Sequence, residues 1–211
     1  MIVNTFTVGR FFTNCYVVGC EQTKEATVID PGFENRYEAE KIFRFVDDNS
    51  LTPKFVLNTH GHPDHTCGNR TMKEKFKSLI LIHEYDAHIL ESSSNEITEL
   101  FGFEKFSIQP DILLHDGELV KFGKTTLKVM LTSGHSQGSI SFVGDKEVFT
   151  GDTLFLGSVG RTDFPESSAE SMKLSLRKLA NLADYLIVYP GHGPTTAIGK
   201  EKASNPFLQW L

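Results

Sequence analysis

Short runs of β-branched and other apolar residues, several alternating with polar ones, predict strands at 2–8, 15–19, 26–30, 55–58, 79–82, 119–122, 125–131, 139–143, 147–150 and 185–189. Apolar residues at helical spacing appear over 37–45, 67–77, 85–90 and 168–182. In the first of these, Tyr37, Ile42, Phe45 and Val46 can share a face; in the last, Met172, Leu176, Leu179 and Ala180 form a stripe that must face a core. Strands therefore come in runs, with a helix after every few of them, twice over. That order favours an α/β architecture of two sheets packed face to face with helices outside, a four-layer αββα sandwich. A doubly wound parallel sheet would alternate strand and helix strictly. The sandwich is expected to be one domain over residues 1–211. The segment 91–111 lacks periodicity and carries Phe101, Phe103 and Phe106 among polar residues, so it reads as a loop pinned by aromatics or, alternatively, as a lid over a pocket.

Composition narrows the function classes. The chain has no apolar run near the roughly 20 residues a membrane helix needs, and its start has no basic leader before an apolar stretch. A cytoplasmic protein without membrane contact is expected. A net charge of -6 argues against a nucleic-acid partner held through phosphates. Cys15, Cys20 and Cys67 form no C-x-x-C pair, which leaves them as buried thiols rather than a disulfide framework or zinc knuckle. The chain has 8 histidines, and five of them fall in three short segments containing glycine.

The strongest chemical signal is Thr59-His60-Gly61-His62-Pro63-Asp64-His65, directly after a predicted strand. His60 and His62 alternate in an extended segment, so both imidazoles can reach one metal. Pro63 suits a first helical turn and sets Asp64 and His65 beside a second metal. Three further strands run into Gly134-His135, Gly151-Asp152 and Gly191-His192. Nitrogen and oxygen ligands without thiolate suit two divalent ions, zinc first, iron or manganese as alternatives. One ion is assigned to His60, His62 and His135, the other to Asp64, His65 and His192, with Asp152 bridging. A water shared by such ions is activated toward hydroxide, which favours hydrolysis. His83, His88 and His115 read as surface or structural histidines, with His83 the first candidate for an exception.

With these residues in place, the sequence resembles the metallo-β-lactamase superfamily and, within it, the glyoxalase II-like group. The resemblance rests on Asn14-Cys15-Tyr16, on Val28-Ile29-Asp30-Pro31-Gly32, on the H-x-H-x-D-H motif and on the Gly134-His135 turn. It continues through Phe149-Thr150-Gly151-Asp152-Thr153-Leu154-Phe155 and Tyr189-Pro190-Gly191-His192-Gly193. It implies a thioester hydrolase of the hydroxyacylglutathione hydrolase type, with a thiol conjugate such as S-lactoylglutathione as its small-molecule substrate. In that reading Asp64 is also catalytic, orienting the metal-bridging hydroxide. Asp152 stands where zinc β-lactamases commonly place a Cys ligand, which weighs against that activity. The segment Gly160-Arg161-Thr162-Asp163-Phe164-Pro165 and the ending Asn205-Pro206-Phe207-Leu208 resemble short forms that stop before a glutathione-holding helical domain. Arg161 falls near a Lys that serves the thiol carrier in larger relatives, so it is expected to bind a substrate carboxylate or else to pair locally with Asp163. The alternative is a persulfide dioxygenase with a single Fe(II) on His60, His135 and Asp152. Lactonase and phosphodiesterase activities rank below both.

Overall fold

The computed structural model describes residues 1–91, 102–103 and 108–209. Strands β1 (Ile2–Val8), β2 (Thr13–Gly19), β3 (Glu25–Ile29), β4 (Thr52–Leu57), β5 (Leu79–His83) and β6 (Ile112–Leu114) form a six-stranded sheet in that order. Further along lie β7 (Leu119–Phe122), β8 (Thr125–Leu131), β9 (Ile140–Val143), β10 (Glu147–Gly151), the paired short strands β11 (Leu154–Phe155) and β12 (Ser158–Val159), and finally β13 (Ile187–Pro190) and β14 (Thr196–Ala197). The second sheet has the order β14-β13-β10-β9-β8-β7. Both sheets are mixed: β3 to β6 run parallel, as do β10 and β13, and the remaining pairs are antiparallel.

Period-two alternation within the strands explains the layering. On β2, Cys15 and Val17 point to one face and Tyr16 and Val18 to the other. The first face packs with Val28, Val56, Ile80 and Ile82 beneath the helix Arg36–Asp48, which contributes Ala39, Ile42, Phe43 and Val46. The second face meets the other sheet through Leu57, Phe122, Leu127, Phe142 and Phe149. The far side of that sheet, with Val148 and Val188, is covered by Met172, Leu176 and Leu179 of the helix Ala169–Ala180. Three apolar layers between four layers of secondary structure make the expected αββα sandwich.

Two expected helices differ in detail. Residues 67–77 hold one helix, Asn69–Phe76, which starts two residues later than expected, after a separate short helix at Pro63–Thr66. The turn at residues 67–68 lets Gly68 lie against Pro31, with its N–H on the Pro31 carbonyl at 2.8 Å. Residues 85–90 divide into a 3-10 turn, Glu84–Asp86, and the helix Ala87–Glu91. The segment expected to be a pinned loop or lid lies mostly outside the described residues.

Ser168 caps the helix Ala169–Ala180: its side chain accepts from the Ser171 N–H, and its own N–H reaches the Gly134 carbonyl at 2.8 Å. Ser168→Ala is expected to lower stability by about 1 kcal/mol, read as a shift of the denaturant midpoint at constant slope.

Candidate metal centre

Every candidate ligand sits where a strand ends at one edge of the sandwich. His60 follows β4, His135 follows β8, Asp152 follows β10 and His192 follows β13. Pro63 occupies the first turn of its short helix, which carries Asp64 and His65. The two sheets meet at this edge: Asn14 donates its backbone N–H to the Gly191 carbonyl at 2.7 Å and its side-chain amide to the Pro190 and Gly193 carbonyls at 3.0 and 2.7 Å.

Glycine permits the crowding. A Cβ on Gly191 would lie 2.1 Å from Asp152 Oδ1 and 2.8 Å from His65 Cε1, so no side chain fits there. Gly134 combines φ +149° with a Met172 backbone that a Cβ would meet at 2.5 Å. The helix Ala169–Ala180 thus packs directly behind the turn that presents His135.

Seven side chains converge. Potential ligand atoms of His60, His62 and His135 lie within 4.8 Å of one another, as do those of Asp64, His65 and His192 and those of His60, His65 and Asp152. Asp152 touches both halves, with Oδ2 3.5 Å from His135 Nε2 and from His192 Nε2, and Oδ1 3.4 Å from His65 Nε2. Two buried atoms at the centre, His60 Nε2 and Asp152 Oδ1, have no hydrogen-bond partner among the described residues. Orphaned buried acceptors are costly unless something else satisfies them, and cations fit these donor types.

Each imidazole turns one nitrogen into the shared space while its other nitrogen is held. His65 Nδ1 is 3.0 Å from Asp30 Oδ2 and His60 Nδ1 is 3.1 Å from Thr59 Oγ1. His135 Nδ1 is 2.9 Å from the Arg161 carbonyl, and His192 Nδ1 is 3.0 Å from the Phe11 carbonyl. His62 is reversed, with Nε2 3.0 Å from Glu166 and Nδ1 2.9 Å from His135 Nε2. Fixing the second nitrogen sets the tautomer and aim of a metal-binding histidine.

Asp30 and Asp86 anchor the two halves. Asp30, 1% exposed, accepts the Thr59 N–H at 2.8 Å and the Thr59 hydroxyl at 2.6 Å as well as His65, so it steadies one histidine of each triplet. Asp86 is fully buried and accepts the N–H groups of Gly61 and Gly138 at 2.9 and 2.6 Å and the Ser136 hydroxyl at 2.6 Å. It thereby ties the His60–His62 loop to the loop after His135.

The charges are mutually adjusted. Burial and the surrounding imidazoles push His60 well below its usual range, which keeps it neutral. Burial works against protonation of His65, but Asp64, Asp152 and Asp30 outweigh it and push the imidazole up to about 10. Burial raises Asp64, and His65 and His192 more than reverse this, holding the carboxyl below the usual carboxylate range.

Asp30, Thr59, Asp86 and Glu166 were not singled out as site residues from sequence. Asp30 had a signal, since it ends a strand within a turn matched to the family. Asp86 had none beyond its place at a helix start. Among the other histidines, His83 caps the Glu84–Asp86 turn, His88 is exposed and His115 pairs with Glu84 at 3.0 Å; none joins a potential metal cluster among the described residues. Arg161 lines the cleft above the centre, stacks on Phe164 at 4.1 Å and places Nε and Nη2 on Asp163 at 2.7 and 2.8 Å.

Known proteins share this fold. The family model of the metallo-beta-lactamase superfamily matches residues 8–192. Hydroxyacylglutathione hydrolase GloC of Haemophilus influenzae is 36% identical over 214 residues, covering 99% of this chain and 98% of that protein. Among solved structures, the BLEG-1 B3 metallo-beta-lactamase superposes with a TM-score of 0.89 at 33% identity, covering 98% of this chain and 99% of its own. TTHA1623 in a di-iron-bound form gives 0.85 at 32% identity, covering 98% and 100%. ETHE1 from Myxococcus xanthus gives 0.80 at 28% identity, covering 98% and 84%.

Proposed function

Because the chain belongs to the metallo-β-lactamase superfamily, we propose that it is a metal-dependent hydrolase whose substrate is a thioester of a small thiol, in the manner of hydroxyacylglutathione hydrolases. The observation that carries this reading is the set of five imidazoles, each with one nitrogen facing a common space and the other held by a fixed partner. His60, His62 and His135 would hold one divalent ion, Asp64, His65 and His192 the other, and Asp152 would offer an oxygen to each. Zinc is the first choice, iron or manganese the alternatives. Such ions supply an activated water near neutral pH and polarise a carbonyl oxygen.

The protein's own residues do the rest. Asp64 lines the cleft, and its Oδ2 lies 3.3 Å from the Thr13 hydroxyl and 3.4 Å from His192 Nε2, a fixed acceptor that orients the attacking water. Water adds to the carbonyl and the C–S bond breaks, giving a carboxylate and a thiol and releasing one proton to solvent. A thiolate needs little acid assistance, so no further proton donor is required.

The test is turnover of S-lactoylglutathione and other acyl thioesters by metal-loaded protein, with a β-lactam as comparison because of the likeness to BLEG-1. Thioester turnover with release of free thiol is expected; inert thioesters alongside β-lactam cleavage would overturn the assignment. The persulfide dioxygenase is kept as a second reading because the likeness to ETHE1 fits it equally well. Oxygen uptake with glutathione persulfide and a single iron per chain would replace the hydrolase with it.

Metal uptake should depend on pH in a defined direction. His65 keeps its proton at neutral pH under the pull of three carboxylates, and a metal must displace it. Affinity is therefore expected to rise with pH, by about tenfold per unit for each proton released. Zinc titrations between roughly pH 6 and 8 check this; a pH-independent affinity would contradict it.

A further inference from the structure

The cleft over the seven-residue centre has a volume of about 430 Å³, and its chemistry is divided. The floor is polar and belongs to the centre. The walls are Phe11, Phe155, Val159 and Phe164, and among the described lining residues the cation is Arg161, which lies on Phe164 and is engaged by Asp163. Such walls offer little to a small hydroxylated acyl group or a peptide-like carrier and much to hydrocarbon.

Val159 also lines a second hollow, of about 290 Å³. Its other walls include Ala169, Met172 and Leu176 on the helix Ala169–Ala180, Phe207 near the end of the chain, and Lys173 as the charged residue. Phe207 is 49% exposed, a large apolar side chain at the rim. The two hollows therefore share one wall residue, Val159 at the end of β12.

That wall is held in place. Glu201 is fully buried and accepts the Gly157 N–H at 2.7 Å, the Thr196 hydroxyl at 2.6 Å and the Asn205 amide at 2.9 Å. The Asn205 amide also reaches the Ser158 carbonyl at 3.1 Å. A carboxylate and an amide removed from solvent thus fix the backbone on which Phe155 and Val159 stand, so the shared wall is preformed, as ligand sites usually are.

We propose that the substrate carries an extended apolar arm, which runs from the reacting carbonyl across Val159 into the hollow between the helix Ala169–Ala180 and Phe207. The inference rests on the thioester reading above and names the substrate class within it, a thioester with a long hydrocarbon chain. The chain can lie on the acyl side or on the thiol side of the scissile bond, since both present the same chemistry to these walls.

Two series of thioesters separate the sources: straight acyl chains of roughly two to twelve carbons on one short thiol, and acetyl esters of thiols of rising length. In one series kcat/KM is expected to rise about two- to fourfold per methylene until the hollow is filled, mainly through KM. Phe207→Asp, at an exposed position, is expected to reduce the long-to-short ratio of kcat/KM at least tenfold. Val159→Trp provides a second variant with the same expected direction. Calorimetry with a non-hydrolysable dodecyl thioether gives a readout free of turnover, with tighter binding than the butyl analogue and a negative heat-capacity change expected. Flat or falling profiles in both series, with short thioesters still hydrolysed, would overturn the apolar arm and leave the hydrolase standing. No turnover of any thioester by fully metal-loaded protein would overturn the hydrolase reading and the arm with it.

Discussion

Asp30→Asn is expected to weaken metal binding by on the order of 10- to 100-fold, although Asp30 is assigned to no metal. One oxygen of the carboxylate serves His65 Nδ1 and the Thr59 hydroxyl together, and the other takes the Thr59 N–H. An amide has a single acceptor oxygen and turns N–H groups toward donors on its other side, so at least one of these bonds is lost whichever way it faces. The His65 ring is then no longer held in the tautomer that leaves Nε2 free for a metal. The disturbance reaches the other triplet too, because His60 Nδ1 leans on the same Thr59 hydroxyl. Competition with a chromophoric chelator measures it, and thermal unfolding of the metal-free variant separates lost affinity from lost structure. Wild-type affinity for both ions would show that Asp30 does not position the histidines.

Asp86→Ala is expected to cost about 2–5 kcal/mol of folding stability. Asp86, in the 3-10 turn after β5, accepts from the N–H groups of Gly61 and Gly138 and from the Ser136 hydroxyl. The hydroxyl has a second partner in Ser139 Oγ at 2.7 Å, but the two N–H groups depend on Asp86. Truncation strands them in a buried place, and each orphan carries roughly 1–3 kcal/mol of desolvation penalty. The same bonds hold the loops of His60, His62 and His135 against each other, so metal retention by that triplet should fall with stability. Urea unfolding and metal content after dialysis read the two effects; a variant as stable as the parent that keeps its full metal content would remove Asp86 from the account.

How far the sequence could be read depended on the length of each repeat. Strands such as 2–8 and 125–131 and the helix near 169–180 carry several turns of their period, so their positions and buried faces follow directly. β6, β11, β12 and β14 are two or three residues long, too short to display alternation, and they form because neighbouring strands offer ladder partners. The helices Ile198–Ser204 and Pro206–Gln209 were missed because their packing depends on Glu201 and Asn205, buried polar residues that no apolar pattern reveals. The late start of the helix at Asn69 reflects a tertiary contact, Gly68 on Pro31, overriding the local pattern.

The site divides in the same way. The seven residues proposed as ligands were legible because metal-binding side chains cluster in short motifs and next to glycines at strand ends. The residues that aim them were not, since Asp30, Asp86 and Glu166 work through positions far apart in sequence. Arg161 illustrates the limit: its backbone carbonyl, a group no motif records, holds His135.

The central claim is that these seven side chains form a two-metal centre. Anomalous diffraction from zinc-loaded crystals, collected on both sides of the zinc edge, tests it most directly. Two anomalous peaks per chain are expected, one among His60, His62 and His135 and one among Asp64, His65 and His192, with Asp152 between them. A single peak held by His60, His135 and Asp152, or no peak at this edge of the sandwich, would contradict it.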